Sequence, residues 1–207
     1  DIDPGYYLCR NPIGNGSAPV IRREVFRDIE YQADNAGVSE TWYFDENLRR
    51  SEDIECWIRI ALTTDWIIEG IPEALTYYRL NAGGLSASLF DQYESWNQVI
   101  RKTAGYAPDF VARWGRTARA YQLRYLARQA IRLHDGSLAM HFSYEALKTD
   151  PRILLQEPGR TISTMAASCL LRLTPGKFYR FIEEIAQRLI GAWQTRRINR
   201  DLGKANA

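Results

Sequence analysis

Apolar residues at Ile54, Trp57, Ile58 and Ala61 recur at steps of three and four, the period of one face of a helix. The stretch "EDIECWIRIAL", 52–62, is therefore predicted to be amphipathic and helical. Ser51 stands at the N-cap position, where a hydroxyl can accept from an open backbone N–H, and Glu52 and Asp53 fall in the first turn. Before this helix the pattern is broken. Residues 1–19 are dense in Gly, Pro and Asn and predict a loop. Pro19 to Ile21 reads as a short strand running into a helix from Arg22, and 31–43 reads as loop. After it come two strand-like pieces, Trp66 to Glu69 and Leu75 to Arg79, joined through "GIPE", and then the glycine-rich "AGGLSAS". From Phe90 the period becomes helical throughout, with helices predicted at 90–102, 111–134, 137–149, 159–174 and 176–200. "GYAPD", "DG" at 135–136 and "TDP" at 149–151 mark the breaks. The expected organisation is an α/β part with few strands, 1–105, followed by a helical part, 106–207, mainly α overall. The change of character falls near 103–110.

Composition sets limits on this picture. The chain has 207 residues, 45% hydrophobic and 25% charged, enough apolar material for a core. Cys9, Cys56 and Cys169 are odd in number and form no CxxC pair, so neither a zinc site nor a disulfide framework is indicated. A reducing, cytoplasmic setting follows. No apolar run approaches the roughly 18 residues that span a bilayer.

Charge is unevenly distributed. Residues 1–110 hold 10 Lys and Arg against 18 Asp and Glu, while 111–207 hold 17 against 7. A basic half either faces phosphates or docks on its acidic neighbour. No nucleic-acid recognition motif accompanies it, so nucleic acid is not an expected partner. Within the basic half, Ala127, Ala130, Ala139, Ala146 and Pro151 fall at the spacings of one tetratricopeptide helical hairpin. An ordinary helical hairpin fits the same residues. Further on, Phe178, Ile182, Ile185, Leu189 and Trp193 share helical spacing with Arg188, Arg196, Arg197 and Arg200 interspersed. That helix suits either an anionic membrane interface or closure of its own domain.

The chemistry centres on Glu52 and Asp53. Acidic residues at a helix N-terminus stabilise it by a few tenths to about 1 kcal/mol, which alone accounts for such a doublet. The surroundings add to this. "NPIGNGSAPVIRREVF", "FDENLRRSEDIECWIRIAL" and "IPEALTYYRLNAGGLSAS" occur in that order. Together they resemble the second half of the catalytic domain of family 2 glycosyltransferases, which have the GT-A fold. The match covers roughly residues 10–88. The segment "YLARQAIRLHDGSLAMHFSYEALKTDPRILLQEPGRT" also resembles the helical C-terminal extension of bacterial members.

The resemblance implies transfer of a sugar from a nucleotide diphosphate sugar to the hydroxyl of a glycan or lipid-linked acceptor, in the synthesis of cell-surface polysaccharide or glycan. Asp53 is then the base that takes the hydroxyl proton, with Glu52 an acceptor-binding or supporting carboxylate; the two roles are interchangeable. Neighbouring carboxylates do not ionise independently, so one of them is expected at a raised pKa. Trp57 either packs beneath the site or stacks on an acceptor ring. Arg79, Asn81 and Ser86, with Ser88, are expected at the departing diphosphate, on a strand end and the glycine-rich loop that closes over the nucleotide in the family. Asn81 stands where the family often has histidine, which argues against metal binding there. Mg2+ or Mn2+ is expected in a complete enzyme, on a DxD motif in a nucleotide-binding half. "DID" at 1–3 spells that motif but is discounted, because it lacks a preceding strand and only 49 residues separate Asp3 from Glu52, fewer than such motifs require. The chain is thus expected to be the acceptor-side portion of such an enzyme, inactive by itself, with uncovered strand edges that favour self-association. Its expected location is the cytoplasm, peripheral at the inner face of the membrane. The alternative is a non-catalytic helical interaction or membrane-surface module.

Overall fold

The computed structural model describes residues 3–14, 16–71, 75–76, 88–176, 179, 182–183 and 191. Among them it has eight helices and one two-stranded sheet. This is the mainly helical chain with few strands that the hydrophobic pattern predicts, although the strands lie elsewhere. Helix α1, Pro4–Cys9, occupies part of the segment expected to be loop. Pro4 presets the first helical turn and Asp3 caps it, accepting from the Gly5 N–H at 2.7 Å. Helix α2, Arg23–Ile29, starts one residue after the expected position. Pro19 to Ile21 is not a strand.

The second correction is at 31–43, where β1, Tyr31–Asn35, and β2, Val38–Trp42, form an antiparallel hairpin with Tyr31 opposite Trp42 and Asn35 opposite Val38. Ala36 and Gly37 both have positive φ, the requirement of a tight two-residue hairpin turn. The pattern conceals these strands because both faces are mostly polar and exposed, so apolar alternation is missing. Ladders of side-chain bonds replace it, with Gln32 donating to Thr41 at 2.9 Å and accepting from Ser39 at 3.1 Å. Trp66 to Glu69, by contrast, has no regular secondary structure and joins no ladder among the described residues. Trp66 is fixed by its side chain, whose ring N–H donates to Asp28 at 2.6 Å. Of the second expected strand, 77–79 lie outside the described residues.

Helices α3, Glu52–Thr63, α4, Leu89–Tyr106, and α5, Pro108–Arg132, follow. The "GYAPD" break between the last two is a single residue, Ala107, because Pro108 is tolerated at the first position of a new helix. Helices α6, Gly136–Thr149, α7, Ile153–Gln156, and α8, Pro158–Leu173, complete the set. Most of 176–200 lies outside the described residues, including the expected membrane-facing helix.

Two apolar cores result. The first gathers Tyr7, Leu8, Val25, Ile29, Cys56, Trp57, Ile58, Trp96 and Val99, with Trp114 and Ala118 reaching in from α5. The second lies between α5 and α6 and contains Ala127, Ala130, Ala139 and Ala146, all fully buried. These small residues let the two helices approach closely, as a helical hairpin requires. Helix α8 crosses the start of α6 so tightly that a Cβ on Gly136 would lie 2.9 Å from the backbone of Arg172.

Asp150 locks the second core. It is 1% exposed, accepts from Thr117 on α5 at 2.7 Å, and takes two bonds from the Arg152 guanidinium and one from the Arg152 backbone N–H. These donors, Arg152 first, hold its pKa down at about 2. A depressed carboxylate stabilises the fold above its unfolded pKa of about 3.9 and loses that contribution as pH falls through the folded value. The difference corresponds to about 2–3 kcal/mol at neutral pH. Asp150→Asn is therefore expected to lower unfolding free energy in urea by about that amount at pH 7, and by little near pH 2. An equal loss at both pH values would show that packing, not charge, holds the clamp.

Candidate functional site

The turn 49–53 is where backbone and side-chain chemistry converge. Ser51 has φ +63°, in the left-handed region that non-glycine residues avoid, and its hydroxyl makes no capping bond. The expected side-chain N-cap is therefore absent, and only the Ser51 carbonyl joins α3, accepting from the Glu55 N–H at 3.0 Å. A residue held in this region costs on the order of 1–3 kcal/mol, and such positions concentrate at functional sites.

This backbone separates the two carboxylates. Glu52 is exposed. Asp53 is half-buried and turned toward the loop at 11–14, where one oxygen accepts from the Asn11 amide at 3.2 Å and the other from the Ile54 N–H at 2.8 Å. Its pKa is raised, chiefly by burial, with the Ile54 N–H opposing the shift and Glu52 adding to it. A raised carboxylate matches the expectation for the doublet, but burial rather than its neighbour is the main cause. Asn11 did not stand out in the sequence. Its side chain also closes the loop, accepting from the Gly14 N–H at 3.1 Å and donating to the Gly14 carbonyl. The Asn-Pro pair followed by Gly is the legible signal of such a turn.

Helix α4 begins against the same turn. Arg50 pairs with Asp91 at 3.4 Å, Ser88 donates to Asp91 at 2.6 Å, and the Ser95 hydroxyl donates to the Arg50 carbonyl. The end of the glycine-rich stretch at Ser88 is thus brought beside Arg50, three residues before Asp53. Arg79, Asn81 and Ser86 lie outside the described residues. Trp57 is 2% exposed and meets Phe44 edge-on at 6.0 Å. It packs beneath the turn and has no face open to an acceptor ring. Its buried ring N–H has no hydrogen-bond partner among the described residues.

Comparison with protein-family models, with curated proteins and with solved structures returned no match.

Two other features flank α3. Glu55, wholly buried, accepts from Arg59 at 3.0 Å and pairs with Lys102 at 3.1 Å, while Lys102 also reaches Asp45 at 2.7 Å. Both cations lie over the ring of Tyr31. Two acids meet two bases here, and the i, i+4 spacing of Glu55 and Arg59 is the sequence signal. A cleft of about 250 Å³ opens beside this group, lined in part by Tyr31, Arg59, Thr63 and Lys102. A second, of about 370 Å³, is lined by Tyr7, Ala61, Trp66 and Ile68 among others. Both lie toward the C-terminal end of α3, away from Asp53.

The resemblance places its divalent ion on a DxD motif in a nucleotide-binding half. Asp3, the one described acid of "DID", is occupied as a helix cap, and no group of three His, Cys, Asp or Glu side chains converges among the described residues.

Asp53 can be tested for a structural role. A carboxylate with a raised folded pKa makes the fold less stable as pH rises from the unfolded value to the folded one, and the cost persists above. Asp53→Asn is accordingly expected to melt at the same or a higher temperature at pH 7, and unchanged near pH 3. A fall equivalent to about 0.5–2 kcal/mol at pH 7 would instead identify the carboxylate as a helix-capping group.

Proposed function

We propose that this chain carries the acceptor side of an inverting glycosyltransferase site, with Asp53 as general base. The observation that carries the reading is the state of Asp53: half-buried, raised in pKa, and held by Asn11 and the Ile54 N–H at a left-handed turn. Each of its oxygens accepts one such bond and keeps a second lone pair. A base so placed takes the proton of an acceptor hydroxyl as that oxygen attacks the anomeric carbon, and the nucleotide diphosphate departs with the electron pair of the broken C–O bond. Raising a carboxylate toward neutrality brings it nearer the pKa at which proton transfer is most effective. Glu52, exposed beside it, is suited to bind acceptor hydroxyls. The order of the three sequence blocks and the position of Ser88 beside Arg50 support the same reading.

The donor is a nucleotide diphosphate sugar and the acceptor a glycan or lipid-linked saccharide. The proposed location is the cytoplasm, at the inner face of the membrane. Among the described residues, no helix is long and apolar enough to cross a membrane.

The second reading, a helical interaction module, is favoured by the alanine-lined hairpin of α5 and α6. Joining these residues to a nucleotide-binding half separates the two. In that protein Asp53→Asn is expected to lower transfer from the matching nucleotide sugar by about 10²–10⁴-fold, the usual contribution of a general base, with melting temperature maintained. Unchanged transfer would remove Asp53 from the reaction. The chain alone is expected to show no transfer from UDP- or GDP-sugars, measured by release of the free nucleotide.

A further inference from the structure

The acidic and basic groups around Glu55 balance. Those at the junction of α1, α5 and α8 do not. Arg10 and Arg124 both donate to the Glu157 carboxylate, and Arg160 lies 3.8 Å from it. Arg124 also donates to Thr161 at 2.6 Å, and Arg128 follows one turn later on α5. Three guanidinium groups therefore share one carboxylate, and Arg128 adds a fourth positive charge beside Arg124. Arg10 and Arg124 lie over the ring of Tyr121, at 5.3 and 4.7 Å from its centre.

Two of the four form a floor and two a mouth. The side chains of Arg124 and Arg10 are 6% and 19% exposed, whereas Arg160 is 58% exposed and Arg128 is also open. The buried Nε of Arg10 has no hydrogen-bond partner among the described residues. A desolvated donor left open beside surplus positive charge is the arrangement an anion completes. The repulsion also shows in acidity: burial, then Arg10, Arg128 and Arg160, bring Arg124 down to about 10. Helix α8 starts directly after Glu157 and adds its positive end.

We propose that Arg10, Arg124, Arg128 and Arg160 form a binding site for a phosphate or diphosphate group. Guanidinium forks pair bidentately with phosphate, and a phosphate or diphosphate offers four arginines more acceptor oxygens than the two of Glu157. The ligand is held between α1, α5 and α8. This site goes beyond the proposed reaction and stands whether or not Asp53 is a base.

Inorganic pyrophosphate tests it directly, by calorimetric titration and by melting temperature of the whole chain. Saturable binding with a raised melting temperature is expected. The double variant Arg128→Gln, Arg160→Gln removes the exposed mouth and leaves the buried pair; it is expected to weaken binding by about tenfold or more, the loss of charge-assisted bonds. Arg113→Gln, an exposed charge on α5 beside Trp114 and outside the cluster, is expected to change affinity by less than about twofold. Phosphatidylcholine vesicles with and without phosphatidic acid separate the sources. Phosphatidic-acid-dependent binding lost in the double variant identifies a lipid headgroup, and pyrophosphate binding without vesicle binding identifies a free phosphate. Absence of saturable binding to either probe, or equal weakening by Arg113→Gln and the double variant, overturns the site.

Discussion

The first half of the molecule is organised around one buried carboxylate. Glu55 has no solvent contact, and an ion in that position is tolerated only when its partners are close and its lone pairs are filled. Arg59 and Lys102 meet that condition. Arg59 then donates to the carbonyls of Ile29, at the end of α2, and Tyr43, just after β2. Lys102 donates to Asp45 and the Tyr31 hydroxyl. One charge thereby fixes α2, the hairpin, α3 and α4 against one another. Removing both cations would leave the buried carboxylate uncompensated, at a cost of about 3–5 kcal/mol. The turn that presents Asp53 is the N-terminal end of this same anchored helix.

Three charge clusters thus differ in kind. The Glu55 group is balanced, two acids against two bases. Asp53 is a single half-buried acid with amide donors and spare acceptor capacity. The arginine group carries surplus positive charge. Consecutive residues link the last two: Arg10 faces Glu157 and Tyr121, and Asn11 holds Asp53.

Strong periodicity made the helices legible. Helices α3, α4, α5, α6 and α8 follow their apolar spacing, because packing against a core enforces it, whereas the four-residue α7 is too short to show a period. The hairpin was hidden because most positions on both strands are polar or exposed and only Trp42 is buried, and helix α1 because Gly and Pro near its start also signal loops. Gly5 is needed there for space: a Cβ at that position would fall 2.4 Å from Trp114. The acid doublet was legible as a pair at a helix start. Which member turns inward was not, since that depends on Ser51 backbone geometry and on Asn11, 42 residues away. The arginine cluster was visible only as an excess of basic residues after 110. Its partners come from α1, α5 and the α7–α8 junction, and no local pattern brings them together.

Helix α5 spans about 37 Å at 1.5 Å per residue. Its first turns bury Trp114 and Ala118 in one core, and its later turns bury Ala127 and Ala130 in the other. Fraying at its middle would expose both interiors at once. The halves distinguished by composition therefore share a common beam, and calorimetry should record a single endotherm, with equal van't Hoff and calorimetric enthalpies, instead of two successive ones.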